Sequence, residues 1–165
     1  MAASAAVAGS VVFLPYAARA GSRSSDVFKT TAGDITVHPV DHASFVMETP
    51  LGTIYSDPVG DAASYAGFPR PDLILVTHQH GDHYNAETLA ALIGENTMLI
   101  TNPAVYGMLP DPLKTKATQV ANGEETTFKA LGISAIPAYN TTEGKQKFHP
   151  KGRDNGYVLG FDGFR

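Results

Sequence analysis

Three of the six histidines in this chain fall within Thr77-His78-Gln79-His80-Gly81-Asp82-His83, directly after the apolar run Leu73-Ile74-Leu75-Val76. Imidazole nitrogen and carboxylate oxygen suit zinc and related divalent cations, and a short loop can aim several such donors at one point. The chain has no cysteine, so any protein ligand must be His, Asp, Glu or a weaker oxygen donor. His78, His80, Asp82 and His83 are therefore candidate metal ligands. A cation held there can polarise a carbonyl or phosphoryl oxygen, and it lowers the pKa of a coordinated water to about 7, so that hydroxide is available at neutral pH. Asp82, the acidic member, can orient that hydroxide or take its proton, or serve as a plain ligand.

Such a loop needs firm elements behind it. The continuous apolar run from Leu73 to Val76 predicts a strand covered on both faces. Upstream, 34–40, 44–48 and 53–56 have the β-branched and aromatic content of strands, and Thr49-Pro50-Leu51-Gly52 supplies a turn, so the chain opens antiparallel. Asp57-Pro58 stops the third strand, and 60–71 reads as a surface loop with room for one helical turn. Downstream, Asn85 predicts the cap of a helix carrying Leu89, Leu92 and Ile93 and ending near Gly94. Residues 97–101 form the next expected strand, and Asn102-Pro103 opens a second helix that should stop before Pro110. Strands are then expected over 115–120, 126–129 and 133–137, separated by Asn122-Gly123 and Leu131-Gly132, and over 157–161 ahead of an Asp162-Gly163 turn. Strand and helix alternate, so the fold class is α/β.

The 165 residues suit a single domain, and a net charge of −4 without a basic cluster leaves nucleic acid no electrostatic footprint. The apolar or small run from Ala2 to Tyr16, with Ala18-Arg19-Ala20 behind it, reads as a signal peptide over 1–20, although no Lys or Arg precedes Arg19. It is short for a membrane span, which needs about 20 apolar residues. The expected organisation is a leader over 1–20, a linker over 21–33 and a domain over 34–165, in a periplasmic or secreted protein. The alternative is an Ala-rich tail on a cytoplasmic one.

His78-x-His80-x-Asp82-His83 resembles the metal motif of the metallo-β-lactamase-fold hydrolases. Asp57-Pro58, Ile136-Pro137-Ala138-Tyr139-Asn140, Phe148-His149-Pro150-Lys151-Gly152 and Asn155-Gly156-Tyr157 extend the likeness, which is to the branch of ascorbate-6-phosphate lactonase-like and N-acyl-phosphatidylethanolamine phospholipase D-like proteins. The resemblance implies an αββα sandwich, of which these residues hold the N-terminal part. It implies one or two ions, Zn2+ or Mn2+, with His78 and His80 on the first and Asp82 and His83 on the second. It also implies a small-molecule substrate, a lactone, an ester or amide, or a phosphodiester. A family Gly-Asp-Thr-like segment with a bridging Asp, and a final His, would follow Arg165. Without them the rival reading is a non-catalytic metal-binding or interaction protein, and an open edge at 157–161 leaves homo-oligomer formation available.

The superfamily's third histidine on the first metal has no counterpart at Ala138-Tyr139-Asn140, and His149, the only later histidine, is the replacement this chain can offer. Tyr139 and Asn140 are candidates for substrate contact. The resemblance gives Asp57 a role in shaping the metal loop, beside its ordinary use as a strand-end turn residue. His42 reads as a turn histidine within reach of the site, His38 carries no signal, and Lys151 and Arg153 either receive an anionic substrate or belong to a solvated loop.

Overall fold

The computed structural model describes residues 24–161, 163 and 165. The expected leader over 1–20 and Asp162 of the expected turn lie outside the described residues. Seven strands form one mixed sheet in sequence order: β1 (Asp26–Thr30), β2 (Gly33–Asp41), β3 (Ser44–Thr49), β4 (Gly52–Ser56), β5 (Leu73–Val76), β6 (Met98–Thr101) and β7 (Ala117–Gln119). β1 to β4 are antiparallel, whereas β4 to β7 run parallel. The parallel half needs crossovers, and these carry a short 3-10 turn (Ala62–Tyr65), α1 (Ala86–Leu92), α2 (Pro103–Met108) and α3 (Asp111–Lys114). A second, antiparallel sheet follows: β8 (Glu125–Phe128), β9 (Leu131–Ala138) and β10 (Asp154–Gly160), with β9 in the middle.

β5 explains the layering. Leu73 and Leu75 belong to a core shared with Leu131, Ile133 and Ala135 of the second sheet, while Ile74 and Val76 join Leu89, Val105 and Leu113 from the helices. Successive side chains on a strand point to opposite faces, so an unbroken apolar run is what a strand buried between helices and a second sheet requires. The described residues thus stack helices, a seven-stranded sheet and a three-stranded sheet, an α/β arrangement with the site at the carboxyl ends of its parallel strands.

The helix starts follow the sequence closely. Asn85 Oδ1 accepts from Thr88 N at 2.9 Å, and Asn102 Oδ1 accepts from Val105 N at 2.8 Å with Pro103 in the first turn. Three elements differ from expectation. β1 occupies residues assigned to a linker, because the turn through Gly33, at φ 121, returns the chain into β2 and makes an exposed hairpin edge. α3 is additional: Asp111-Pro112 opens one short helical turn that ends at Lys114 with Thr115 as its cap, and the strand expected from 115 begins only at Ala117, as β7. Leu131-Gly132, expected as a separator, begins β9 instead, since Leu131 is fully buried against β5. No helix among the described residues is long and apolar enough to cross a membrane.

Candidate metal centre

The loop leaving β5 turns back at once, with His83 N and Tyr84 N both donating to His80 O at 2.9 and 2.8 Å. That turn aims His78 and His80 one way and Asp82 and His83 another. The second sheet adds the missing member. Between β9 and β10 the chain makes an excursion through 139–153, closed by Asn140 N donating to His149 O at 3.0 Å, and it delivers His149 to the loop. The ring centroids of His78, His80 and His149 lie 4.8, 4.9 and 4.7 Å apart pairwise, a nearly equilateral triangle. One ring nitrogen from each falls within 4.8 Å of the others. His42, Asp82 and His83 make a second group of the same compactness, and the rings of His78 and His83 are 3.9 Å apart. The two groups adjoin.

Two buried carboxylates set the direction of these rings. Asp57, 2% exposed, accepts from Thr77 N at 2.7 Å through Oδ1, and from Thr77 Oγ1 and His83 Nδ1 at 2.7 and 2.8 Å through Oδ2. Since the Thr77 hydroxyl donates to Asp57, it is free to accept from His78 Nδ1, which lies 3.0 Å away. Asp154, 1% exposed, takes the same part on the other sheet: its Oδ2 accepts from His149 Nδ1 at 2.8 Å and its Oδ1 from Arg153 Nε at 2.7 Å. With Nδ1 of His78, His83 and His149 each committed as a donor, Nε2 keeps its lone pair for the site. Carboxylate–histidine pairs of this kind are the usual outer support of histidine metal ligands, so the residues present fit a divalent cation.

The electrostatics agree. Burial, helped by the neighbouring His83, lowers the His78 pKa to about 4, so this ring is neutral and able to ligate. The hydrogen bond from His83 to Asp57 raises His83. Asp82 is lowered, first by its own backbone N–H and then by His83 and His42, and Asp154 is lowered because its bonds to Arg153 and His149 outweigh the opposing effect of burial. Both are carboxylates at neutral pH.

Several expectations shift here. Arg153 is committed to Asp154 and to the Phe148 carbonyl rather than held free for an anion. Lys151 Nζ sits 5.6 Å from the Tyr139 ring centre, and Asn140 Nδ2 bonds the Lys145 carbonyl inside its own loop. His38 pairs with Glu48 at 2.9 Å and joins neither group. One site residue escaped the sequence, and another reads there as a turn histidine within reach of the site. His42 sits in its turn as expected, yet its ring reaches Asp82. Asp154 carried no signal beyond adjacency to Arg153, because its partner relation to His149 exists only once the excursion closes. A cleft of about 570 Å3 opens beside both groups, its wall including Pro39, Phe45 and Ala138 as well as His42, His83 and His149.

Residues 36–165 match the family model described as beta-lactamase superfamily domain. A crystal structure of a candidate metal-dependent hydrolase from Parabacteroides distasonis superposes with a TM-score of 0.76 at 37% identity, over 86% of this chain and 63% of that one. A metal-dependent hydrolase from Anaeromyxobacter dehalogenans is 27% identical over 79% of this chain and 53% of its own length. A candidate Rieske 2Fe-2S iron-sulfur protein of Mycobacterium tuberculosis is 32% identical over 39% of this chain and only 15% of its own. The chain thus spans less than two thirds of each of these relatives.

Proposed function

Because this chain belongs to the beta-lactamase superfamily domain family, we propose that it is a metal-dependent hydrolase of a small-molecule substrate whose reacting bond is presented to the His78–His83 loop. The observation that carries the reading is the equilateral triad of His78, His80 and His149, each ring contributing a donor atom within 4.8 Å of the others. A divalent cation, zinc or manganese, supplies Lewis acidity there and makes a water molecule acidic enough, with a pKa of about 7, to act as a nucleophile. The remaining work falls to the chain. Asp57 and Asp154 hold three imidazoles in one tautomer, so the donor set is assembled before anything binds. Asp82, more than half exposed and next to His83, is the carboxylate available to orient the attacking water or hold its proton.

For the substrate, the cleft favours an uncharged carbonyl compound, a lactone, ester or amide with an apolar substituent, over a phosphodiester. Val37, Pro39, Phe45 and Ala138 give its wall an apolar side, and Arg153 is already neutralised by Asp154. The test is elemental analysis of metal-reconstituted protein, followed by assay against a lactone, an ester, a phosphodiester and a β-lactam. We expect one or two equivalents of metal on this chain, metal-dependent turnover of the carbonyl substrates by the whole protein, and loss of both on combining His78→Ala with His80→Ala. A double variant that keeps the parent's metal content overturns the assignment. Bound metal without turnover of any substrate favours the non-catalytic alternative. Export, proposed from the Ala-rich opening, predicts a mature N-terminus at Gly21, and N-terminal sequencing that finds Met1 would overturn it.

A further inference from the structure

We propose that Gln79, which stands between the first two histidines of the triad, is the positioning residue that sets the third, His149, against them. The proposal rests on reading His78, His80 and His149 as a metal centre and adds a residue whose place in the sequence carries no chemical signal. Gln79 is half-buried, and its amide lies against the Arg153–Asp154 pair, where the excursion returns to β10. With the amide nitrogen towards the carboxylate and the oxygen towards the cation, Nε2 donates to Asp154 Oδ1 at 3.2 Å, and Oε1 lies 3.0 Å from Arg153 Nε and 3.1 Å from each of Nη1 and Nη2. The reverse orientation would set donors against donors and acceptor against acceptor. An oxygen almost equally far from all three guanidinium nitrogens lies over the central carbon, on the face of the plane. The contact is therefore a dipole resting on a cation, and it leaves the N–H groups of Arg153 for other acceptors.

Asp154 shows why that amide matters. It is 1% exposed, and a carboxylate offers about four lone-pair sites that burial leaves to protein donors. Oδ2 takes His149 Nδ1 at 2.8 Å and Arg153 Nη2 at 3.0 Å, and Oδ1 takes Arg153 Nε at 2.7 Å. Gln79 Nε2 supplies the fourth donor. Arg153 Nη2 also donates to the carbonyl of Phe148, the residue before His149, so one cation fixes both the backbone that carries His149 and the carboxylate that turns its ring. The loop and the second sheet are also joined at Thr77, whose carbonyl accepts from Asn155 N at 3.1 Å, but that bond precedes the first ligand. Gln79 makes its tie between the ligands themselves. Without it Asp154 Oδ1 is one donor short, and the His149 ring loses its fixed relation to His78 and His80.

The experiment strips the protein with a chelator and titrates it with Co2+, whose visible absorption reports the number and geometry of its ligands, while competition with a chromogenic chelator gives the affinity. His149→Ala should weaken binding and give the spectrum of a site with one imidazole fewer. Gln79→Met, close in length but without the amide, should bind Co2+ about tenfold more weakly than the parent and shift the spectrum in the same direction. Gln79→Ala should behave alike, and the unfolding midpoints of the metal-free variants check that both are folded. In the His149→Ala background, Gln79→Met should change neither affinity nor spectrum, because the amide acts through His149. Parental affinity and spectrum in both Gln79 variants overturn the proposal and leave the triad standing. An equal loss with and without His149, the result of a general loosening of the loop, overturns it too. If His149→Ala binds Co2+ as the parent does, or the parent takes none, the triad reading fails and the proposal with it.

Discussion

Asp57 and Asp154 do at the scale of single residues what the metal loop cannot do for itself. Each is almost wholly buried, and each spends one carboxylate oxygen on the Nδ1 of a histidine whose Nε2 faces the site. Asp154→Asn keeps the shape but cannot accept from both Arg153 and His149 with the strength of a carboxylate. We expect metal affinity at the triad to fall about 10- to 100-fold, measured by competition with a chromogenic chelator. Asp57→Asn should weaken both groups together, since Asp57 holds His83 directly and His78 through the Thr77 hydroxyl. The histidines and Asp82 were legible because they crowd into seven residues. Asp154 was not, because a carboxylate that holds a ring is recognised only by what stands opposite it.

Among the elements, α2 shows how a local signal acquires a distant task. Asn102-Pro103 announces a capped helix in the sequence, and the cap forms as expected. The other half of the same amide, Nδ2, donates to the Thr77 carbonyl at 2.8 Å, which holds the first residue of the metal loop. Nothing within the Asn-Pro pair points to a partner 25 positions away. Asn102→Ala removes the cap and leaves the Thr77 carbonyl with Asn155 N as its remaining donor, for a loss of about 1–2 kcal/mol in denaturant unfolding, accompanied by weaker metal binding. The 3-10 turn makes a separate, pH-dependent prediction. Tyr65 is 2% exposed, its hydroxyl donates to the Val59 carbonyl at 2.9 Å, and burial raises its pKa. A folded pKa above the unfolded value of about 10 means that its contribution is complete below pH 10 and lost as pH rises through the folded value. Tyr65→Phe should therefore flatten the alkaline limb of the stability profile, measured by urea unfolding between about pH 9 and 11.

On the scale of the whole molecule, the two sheets were less legible than the strands composing them. β5 declared in its unbroken apolar run that both its faces are covered, and the core bears this out. That the covering layer on one side is the hairpin stack β8 to β10, and that it carries a ligand candidate back to β5, depends on long-range closure that no local pattern encodes. Asn155 N donates to the Thr77 carbonyl at 3.1 Å, Asn155 Nδ2 to the Val120 carbonyl at 2.6 Å and Tyr157 Oη to the Val76 carbonyl at 3.1 Å. These bonds seat the second sheet on the ends of β5 and β7, beside the very loop that His149 faces.

The triad therefore spans the two sheets, with His78 and His80 following β5 of the first and His149 arriving on the β9–β10 excursion of the second. An ion held by all three ties the sheets together in the native state, and it has no equivalent site in an unfolded chain. Binding to the native state alone stabilises by about 2.7 kcal/mol at a free metal concentration one hundred times the Kd. For a chain of this size, that raises the unfolding midpoint by roughly 5–10 °C. His149→Ala should abolish the part of the metal-induced rise that the triad supplies, while lowering the metal-free midpoint little, because the His149 side chain is 30% exposed and its removal opens no core cavity. Ile133→Ala separates the two effects. It cuts a fully buried contact between the sheets and should cost about 2–5 kcal/mol without metal, yet leave the metal-induced rise close to that of the parent. Differential scanning calorimetry of the parent and both variants, with and without zinc, measures all of these midpoints. A rise as large in His149→Ala as in the parent would show that the ion is held by the first sheet alone.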